Sequence, residues 1–488
     1  MRAYLVTSAL LLASCSVDTE PRPPPSTRLV YPSGVAFWRP EATTSTNGFL
    51  YVAGANFDKC YASGAVSALD LDALGLRPFG KDFSDAAEVA NFPSLLTDLH
   101  VGAASYALID SFAGEMALWN PPGRAPRLFV ATRAEDSILQ VLDVSADGKE
   151  LRCAQSDTTV DCRVNALSLV NVPGSNKDGL PGAPAPLGVT VDRTHPDALV
   201  WVTHTELVGP QGSDTLGDLQ TYLVNLPAAS PTREELTTSR FVPLGVDGLA
   251  PGATNSVAIG GRYLYASGRN GATNDRGTVS ASFVLRLVDR TDTSRVIDTS
   301  LRDLYAIREA RGVAVEPLML RDNPTQVDPN RERVYLLARG PDTLLVLDIE
   351  NARADFPTLR VVAALSLPEG ASELKIIPRG LGRGNLVAVT GSGDEAVSIY
   401  DEEVGQLVAQ VLVGAQDPAQ PSQPYGLAVD VRGNSARLFT TTFGDGRVAV
   451  IDIPNLDQPQ DARRVALLGE QQLRDSRQGT SVCQESSP

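Results

Sequence analysis

Six residues able to bind a ligand or move a proton, Asn255, Arg311, Glu373, Lys375, Arg379 and Tyr425, stand at or near the start of short strands of small apolar residues. Brought together, they could line a polar site for binding or acid–base chemistry. The other reading is that they are turn residues around a solvated opening. The three histidines, His100, His195 and His204, are too few for a His-rich metal centre. His195 precedes Pro196 in a turn and His204 ends an apolar strand, so both are expected as satisfied surface or edge residues. No metal ligand set and no cofactor is expected. The chain has no Cys-x-x-Cys, no covalent haem motif, no Gly-x-Ser-x-Gly elbow, no phosphate loop and no His-Glu-x-x-His. Asp394-Glu395 and Asp445-Gly446 read as hairpin turns. Asn176-Lys177-Asp178-Gly179 has too few acidic positions for a calcium loop.

The elements that would position these residues repeat. An apolar strand with an aromatic or aliphatic pair, followed by a second apolar strand ending on Asp, recurs over 51–70, 129–143, 265–289, 335–348, 387–401 and 437–452. A weaker copy, over 201–225, ends on Asn225. A turn and a strand of small residues precede most copies, at 32–37, 186–192, 255–259, 311–315, 372–376 and 424–430, with a poor match at 105–109. A fourth, more amphipathic strand follows, as at 407–413 and 464–468. Short strands at this period predict a closed ring of sheets, an all-β seven-bladed β-propeller of four-stranded blades over residues 29–470. Small residues suit the strands nearest the axis, where crowding excludes bulk; aromatics on the second strand fill the wider space between blades. The third-strand Asp is expected to accept backbone N–H groups of the next turn. Only two short helices are expected, at 71–76 and 301–311. The surplus length falls in loops at 79–99, 154–186, 208–217 and 271–278, where partner contacts are expected.

Tyr425-Gly426, Phe439-Thr440-Thr441-Thr442 and Val450-Ile451-Asp452 resemble the YVTN family of bacterial propeller repeats. The resemblance implies an envelope or surface module with no shared catalytic residues. The amino terminus also resembles a known pattern. Arg2, an apolar stretch at 5–13 and Leu12-Ala13-Ser14-Cys15 look like the signal and lipobox of bacterial lipoproteins. That implies a signal peptide at 1–14, lipidation of Cys15 and, with Ser16 following, the outer membrane. Residues 15–28 are expected as a Pro-rich linker, its segment 16–27 holding the globular part about 30–40 Å off the bilayer. Residues 471–488 form a tail.

Removing Cys15 leaves four cysteines in a compartment that permits disulfides. The favoured pairs are Cys153 with Cys162, flanking a polar insertion, and Cys60 with Cys483, stapling the tail to the first blade. The net charge of −16 excludes nucleic acid, which needs clustered Lys and Arg. The expected function is a membrane-anchored binding or scaffolding module of the bacterial cell envelope, with an envelope protein or polysaccharide as partner. The alternative is a propeller enzyme of lactonase or dehydrogenase type acting at the channel mouth. Ionisable side chains converging on the axis would favour the enzyme.

Overall fold

The computed structural model describes residues 22–40, 47–77, 105–133, 138–154, 160–169, 184–207, 220–245, 252–269, 283–301, 307, 309–380, 382–414 and 420–471. They form seven antiparallel sheets, each with its first four strands in sequence order. From the axis outward, blade 1 is Pro32–Trp38, Phe49–Gly54, Gly64–Asp70 and Ser105–Ile109. Blade 2 is Ala113–Trp119, Arg127–Thr132, Ile138–Val144 and Leu151–Cys153, and blade 3 is Pro186–Asp192, Leu199–His204, Tyr222–Pro227 and Phe241–Pro243. Blade 4 is Thr254–Ile259, Tyr263–Gly268, Leu285–Asp289 and Val296–Asp298, and blade 5 is Glu309–Met319, Val327–Arg339, Thr343–Glu350 and Thr358–Ser366. Blade 6 is Ala371–Ile377, Leu386–Gly391, Ala396–Asp401 and Gln406–Leu412. Blade 7 is Pro424–Arg432, Ser435–Thr442, Arg447–Ile453 and Arg463–Leu468. Each innermost strand touches the innermost strands of both neighbours, and that of blade 7 touches that of blade 1, so the ring is closed.

The seven-bladed, four-stranded expectation holds, with two corrections. Ser105–Ile109 is the outermost strand of blade 1, paired with Gly64–Asp70, and the axial strand of blade 2 is Ala113–Trp119. The second concerns helices: residues 71–75 form hydrogen-bonded turns, and of 301–311, Leu301 is helical, Glu309 to Arg311 lie in a strand, and 302–306 and 308 lie outside the described residues. The outer edge of blade 2 is split. Leu151–Cys153 and Leu167–Ser168 both pair with Ile138–Val144, and the excursion between them is closed at its base by the Cys153–Cys162 disulfide, Cα–Cα 5.0 Å. The expected partner of Cys60, Cys483, lies outside the described residues, as do Cys15, the lipobox, the Asn176–Gly179 segment and most of the four long loops.

Blades are joined by two belts of repeated hydrogen bonds. Near the start of the second strand an arginine pairs with the third-strand Asp of its own blade and reaches into the next blade. Arg127 holds Asp143 (2.6 Å) and the Ala228 carbonyl (3.0 Å); Arg262 holds Asp289 (2.6 Å) and the Arg353 carbonyl (2.6 Å). Arg333 holds Asp348 (2.8 Å) and Glu402. Arg379 holds Asp401 through two hydrogen bonds (2.6 and 3.0 Å) and reaches the Leu456 carbonyl at 3.4 Å. Arg437, almost wholly buried, holds Asp452 through two hydrogen bonds (2.6 and 2.7 Å) and, in blade 1, Asn47 Oδ1 and the Arg77 carbonyl, both at 3.1 Å. The aspartates also cap turns as expected: Asp289 accepts from Thr291 N and Asp401 from Glu403 N. At the other end of the second strand a hydroxyl accepts an N–H from its own axial strand and donates to the next blade. Thr203, Ser267, Thr390 and Thr441 donate to the carbonyls of Asn255, Arg311, Tyr425 and Ser33 at 2.8, 2.5, 3.0 and 3.0 Å. The seam between blades 7 and 1 thus uses the same bonds as the others, with no exchanged strand. It adds a stack of Phe37 on Phe439, centroids 5.3 Å apart.

His204 corrects another expectation. It is fully buried; Nδ1–H donates to the Tyr222 carbonyl at 2.9 Å and Nε2 has no partner. Burial pushes its pKa down to about 4.

Two predictions follow from this packing. Arg437→Leu leaves Asp452 as a buried, uncompensated charge and should lower unfolding free energy by about 3–5 kcal/mol, whereas Arg437→Leu with Asp452→Leu should recover most of the loss. Urea unfolding of both variants checks this; equal losses would refute the clamp. For His204, the unfolded chain takes up a proton near pH 6.5 and the folded chain only near 4. Its contribution is therefore complete above about 6.5 and lost as pH falls to about 4, by roughly 3 kcal/mol at ~1.36 kcal/mol per pKa unit. In stability measured at pH 7 and pH 4.5, His204→Leu should show a flatter fall than the native chain.

Candidate functional site

Each axial strand begins with a register irregularity at one equivalent place: Pro32/Gly34, Ala113/Met116, Pro186/Val189, Thr254/Val257, Ala310/Val313, Ala371/Leu374 and Pro424/Leu427. Counting from it aligns Gly34, Glu115, Gly188, Ser256, Gly312, Glu373 and Gly426 around the axis. Crowding explains the small residues: a Cβ on Gly426 would stand 2.1 Å from the Ser33 carbonyl oxygen. The two glutamates break the pattern, and each is followed by glycine in the next blade. Glu115 lies over Gly188 and accepts the Val189 N–H; Glu373 Oε2 accepts the Leu427 N–H at 2.9 Å. They are one device used twice.

Lys375, two residues beyond Glu373, places Nζ 2.5 Å from Glu373 Oε1. Its side chain is 43% exposed. Burial opposes its charge, but Glu373 and Glu115 outweigh that and raise its pKa. Glu115 takes the opposite course. Burial, then the negative charge of Glu373, pushes its pKa up to about 8 against the weaker pull of Lys375 and Arg311. Burial and Glu373 thus favour the protonated form of Glu115 beside the Glu373–Lys375 ion pair, the form a general acid requires.

The next level outward is cationic. At the ends of the second strands stand Ala55, Arg133, Thr205, Arg269, Arg339, Ser392 and Phe443, of which Arg339 is the last residue of its strand and the others follow theirs. Six of them donate their backbone N–H to the residue just before the axial strand; Arg133, for example, donates to the Phe112 carbonyl at 3.2 Å. Arg339 is spent on the Gly370 and Ala371 carbonyls and Ser372, and Arg269 reaches the Thr205 carbonyl at 3.3 Å. Arg311 pairs with Glu309 at 2.8 Å. Arg133 has no such ion pair among the described residues, and its Nε, like that of Arg311, is buried there without a hydrogen-bond partner. Burial, together with Arg269 and Arg311, lowers its pKa, while Tyr425 and Glu206 oppose the shift. These residues belong to blades 2, 3, 4, 5 and 7. Their mutual influence spans non-adjacent blades, as for groups that face one lumen.

Of the six candidates read from the sequence, Arg311, Glu373, Lys375 and Tyr425 meet at the axis. Asn255 lies beside them as a link from blade 4 to blade 5, its Nδ2 donating to the Ala310 carbonyl at 2.7 Å. Arg379 does not belong; it is the blade 6 member of the outer clamp, held there by Asp401. Glu115, Arg133 and Arg269 were missed. Glu115 was lost through the wrong axial strand for blade 2; aligning Ala113-Gly114-Glu115-Met116 with Ala371-Ser372-Glu373-Leu374 would have found it. His195 behaves as expected, its Nδ1 accepting Asp197 N at 3.2 Å in a turn beside a 650 Å³ cleft between blades 2 and 3. Among the described residues no group of three or more His, Cys, Asp or Glu could hold a metal ion, and no helix is long and apolar enough to cross a membrane.

No protein-family model matches the chain, and no curated protein matches it in sequence. Among solved structures it is similar to hydrazine synthase of Kuenenia stuttgartiensis, with 12% identity over 90% of this chain and 98% of that one and a TM-score of 0.47. It is also similar to apo AztD of Citrobacter koseri (12%, 89% and 86%, TM-score 0.40) and to the dihydro-heme d1 dehydrogenase NirN (12%, 89% and 68%, TM-score 0.41). At such identity these likenesses concern the fold alone, and the sheet order and closed ring establish the seven-bladed β-propeller independently.

Proposed function

We propose that this chain is a lipid-anchored envelope propeller of YVTN-like repeats whose axial mouth binds a small anionic ligand. One observation carries the reading: in a chain of net charge −16, arginines from blades 2, 4 and 5 converge on the lumen, and Arg133 among them has a buried Nε without a partner. A buried Nε–H left unpaired is unfavourable unless something satisfies it, and the planar fork of the guanidinium suits a carboxylate or phosphate. Calorimetric titration with acetate and inorganic phosphate should show one saturable site in the native chain, lost in Arg133→Ala; equal binding by both proteins would refute it.

A second reading, an enzyme acting at the mouth, is favoured by the protonated Glu115 beside Glu373 and Lys375. It would make the bound anion a substrate, with Glu115 as proton donor. Turnover of carboxylate-bearing lactones by the native chain, abolished in Glu115→Gln, would move the conclusion to that reading.

Anchoring rests on the lipobox-like Leu12-Ala13-Ser14-Cys15 and, for orientation, on the packing of the linker. Ala62 N donates to the Arg22 carbonyl at 2.9 Å, and the Tyr106 hydroxyl donates to the Pro24 carbonyl. Residues 22–24, part of the expected linker, therefore pack against blade 1. Ala62 lies in the turn between the second and third strands of blade 1, on the face where the mouth opens, so the anchor would turn the mouth toward the bilayer. Several acyl chains on Cys15 would make that attachment firm. Mass spectrometry of the protein from membranes should find an acylated Cys15 at the new amino terminus and, without reduction, Cys60 linked to Cys483. An intact, unacylated 1–14 segment would refute the anchor.

A further inference from the structure

Beside Arg133 the mouth carries an aromatic cluster that runs from the core, where Tyr31 is buried and Phe443 packs against it, out to the exposed Phe57. Phe57 is 52% exposed at the tip of a blade 1 turn, with its ring 5.5 Å from Phe112 and 5.7 Å from Phe443. Tyr31 lies 5.1 Å from Phe443, and Tyr425 lies 6.3 Å from it. The Lys59 ammonium stands 5.4 Å from the Phe112 ring.

Backbone conformation singles out two of these rings. The residue just before the axial strand is left-handed in five blades: Tyr31 (φ 49), Phe112 (φ 60), Ala185 (φ 51), Gly370 (φ 80) and Gln423 (φ 50). The fold imposes that geometry, and glycine, as in blade 6, meets it without strain. Aromatic residues there are genuine outliers. Blades 1 and 2 nevertheless place rings there, both against Phe57; Tyr31 also packs in the core, whereas Phe112 is only half-buried, so there ring character has been kept against backbone preference. Strain held at such a position points to function.

The cluster and the cation are contiguous. Arg133 N donates to the Phe112 carbonyl, and the Arg133 charge acts on Tyr425, whose ring adjoins Phe443. We infer that the ligand is an aromatic anion. Its carboxylate or sulfonate pairs with Arg133, and its ring lies against Phe57, Phe112 and Phe443, displacing water from the exposed face of Phe57. Offset and edge-on contacts among several rings favour a flat guest over a bare inorganic ion. This rests on the anion-binding reading above and names the class of ligand that site takes.

The test compares acetate, 2-naphthoate and 2-naphthylmethylammonium on the full chain by calorimetry. The native chain should bind 2-naphthoate at least tenfold more tightly than acetate and should not bind the aromatic cation. Phe57→Ala, a substitution at an exposed site that leaves the core intact, should reduce 2-naphthoate affinity about tenfold and leave acetate unchanged. Arg133→Ala should weaken both anions. Equal affinity for acetate and 2-naphthoate would overturn the aromatic preference while sparing the anion site; failure of every anion to bind would overturn both. Tight binding of the aromatic cation would also overturn the inference, because the rings would then act without Arg133.

Discussion

Ring closure by side-chain clamps is the constraint on which the rest of the structure depends. Each blade completes its sheet from strands adjacent in sequence, so no shared strand ties the ends of the ring together. Apolar burial alone would not fix the rotation of one blade against the next, because hydrophobic contact is non-directional. Direction comes from the arginine that joins its own Asp to a carbonyl or side chain of the following blade, in blades 2, 4, 5, 6 and 7. Buried ion pairs contribute little net stability against desolvation, but they punish misalignment severely. The hydroxyl belt at the other end of the second strands works the same way at lower energy. The interfaces from blade 2 round to blade 1 are therefore fastened at one end of the second strands or the other, and 4/5, 6/7 and 7/1 at both, which holds the lumen to a fixed shape.

A fixed, narrow lumen explains the electrostatics. Glycine, serine and alanine dominate the axial positions because neighbouring backbones pass within contact distance of any Cβ. Two glutamates can enter only because the next blade offers glycine at the same level, and their carboxylates then take backbone N–H groups exposed there by the irregular register. Once inside, they lie in a medium less polarisable than water, where like charges strongly disfavour double ionisation. Glu115 keeps its proton; Glu373 keeps Lys375. The same enclosure lowers the pKa of Arg133 and of Arg339. Site chemistry and ring closure are thus one problem, since a loosened seam would admit water and return these groups to ordinary behaviour.

The repeat made the scaffold legible. Second strands such as Arg437-Leu438-Phe439-Thr440-Thr441 announced their buried aromatics, and the terminal Asp of the third strand announced a turn cap. What could not be read was the arginine that opposes that Asp. Its partner carbonyl belongs to the next blade, and a single repeat gives no sign of it, so Arg379 looked like a channel residue when it is a clamp. The hydroxyl latch was visible as the Thr or Ser of Val-Thr and Ala-Ser, but its role depends on a neighbouring strand dozens of residues away. Blade 2 failed for a different reason. An extra apolar strand, Ser105–Ile109, stood where the axial strand was expected, and a misread of one strand hid Glu115.

The mouth also shows why net charge is a poor guide to ligand charge. A surface carrying −16 repels anions at long range, yet salt screens that field beyond about 8–10 Å. Selectivity within the screening length is set by the few groups that line the opening. There Arg133, Arg269 and Arg311 are opposed by Glu206 and Glu309; among the described residues Arg133 and Arg311 each keep a buried Nε without a hydrogen-bond partner, but Arg311 has Glu309 as its counter-ion. Acidity elsewhere then favours the same outcome, because it keeps adventitious polyanions off the body and leaves a recessed cationic mouth reachable only by anions small enough to enter. An enclosed guanidinium bordered by aromatic rings discriminates by size and shape as well as by charge, which an exposed basic patch on this chain could not do.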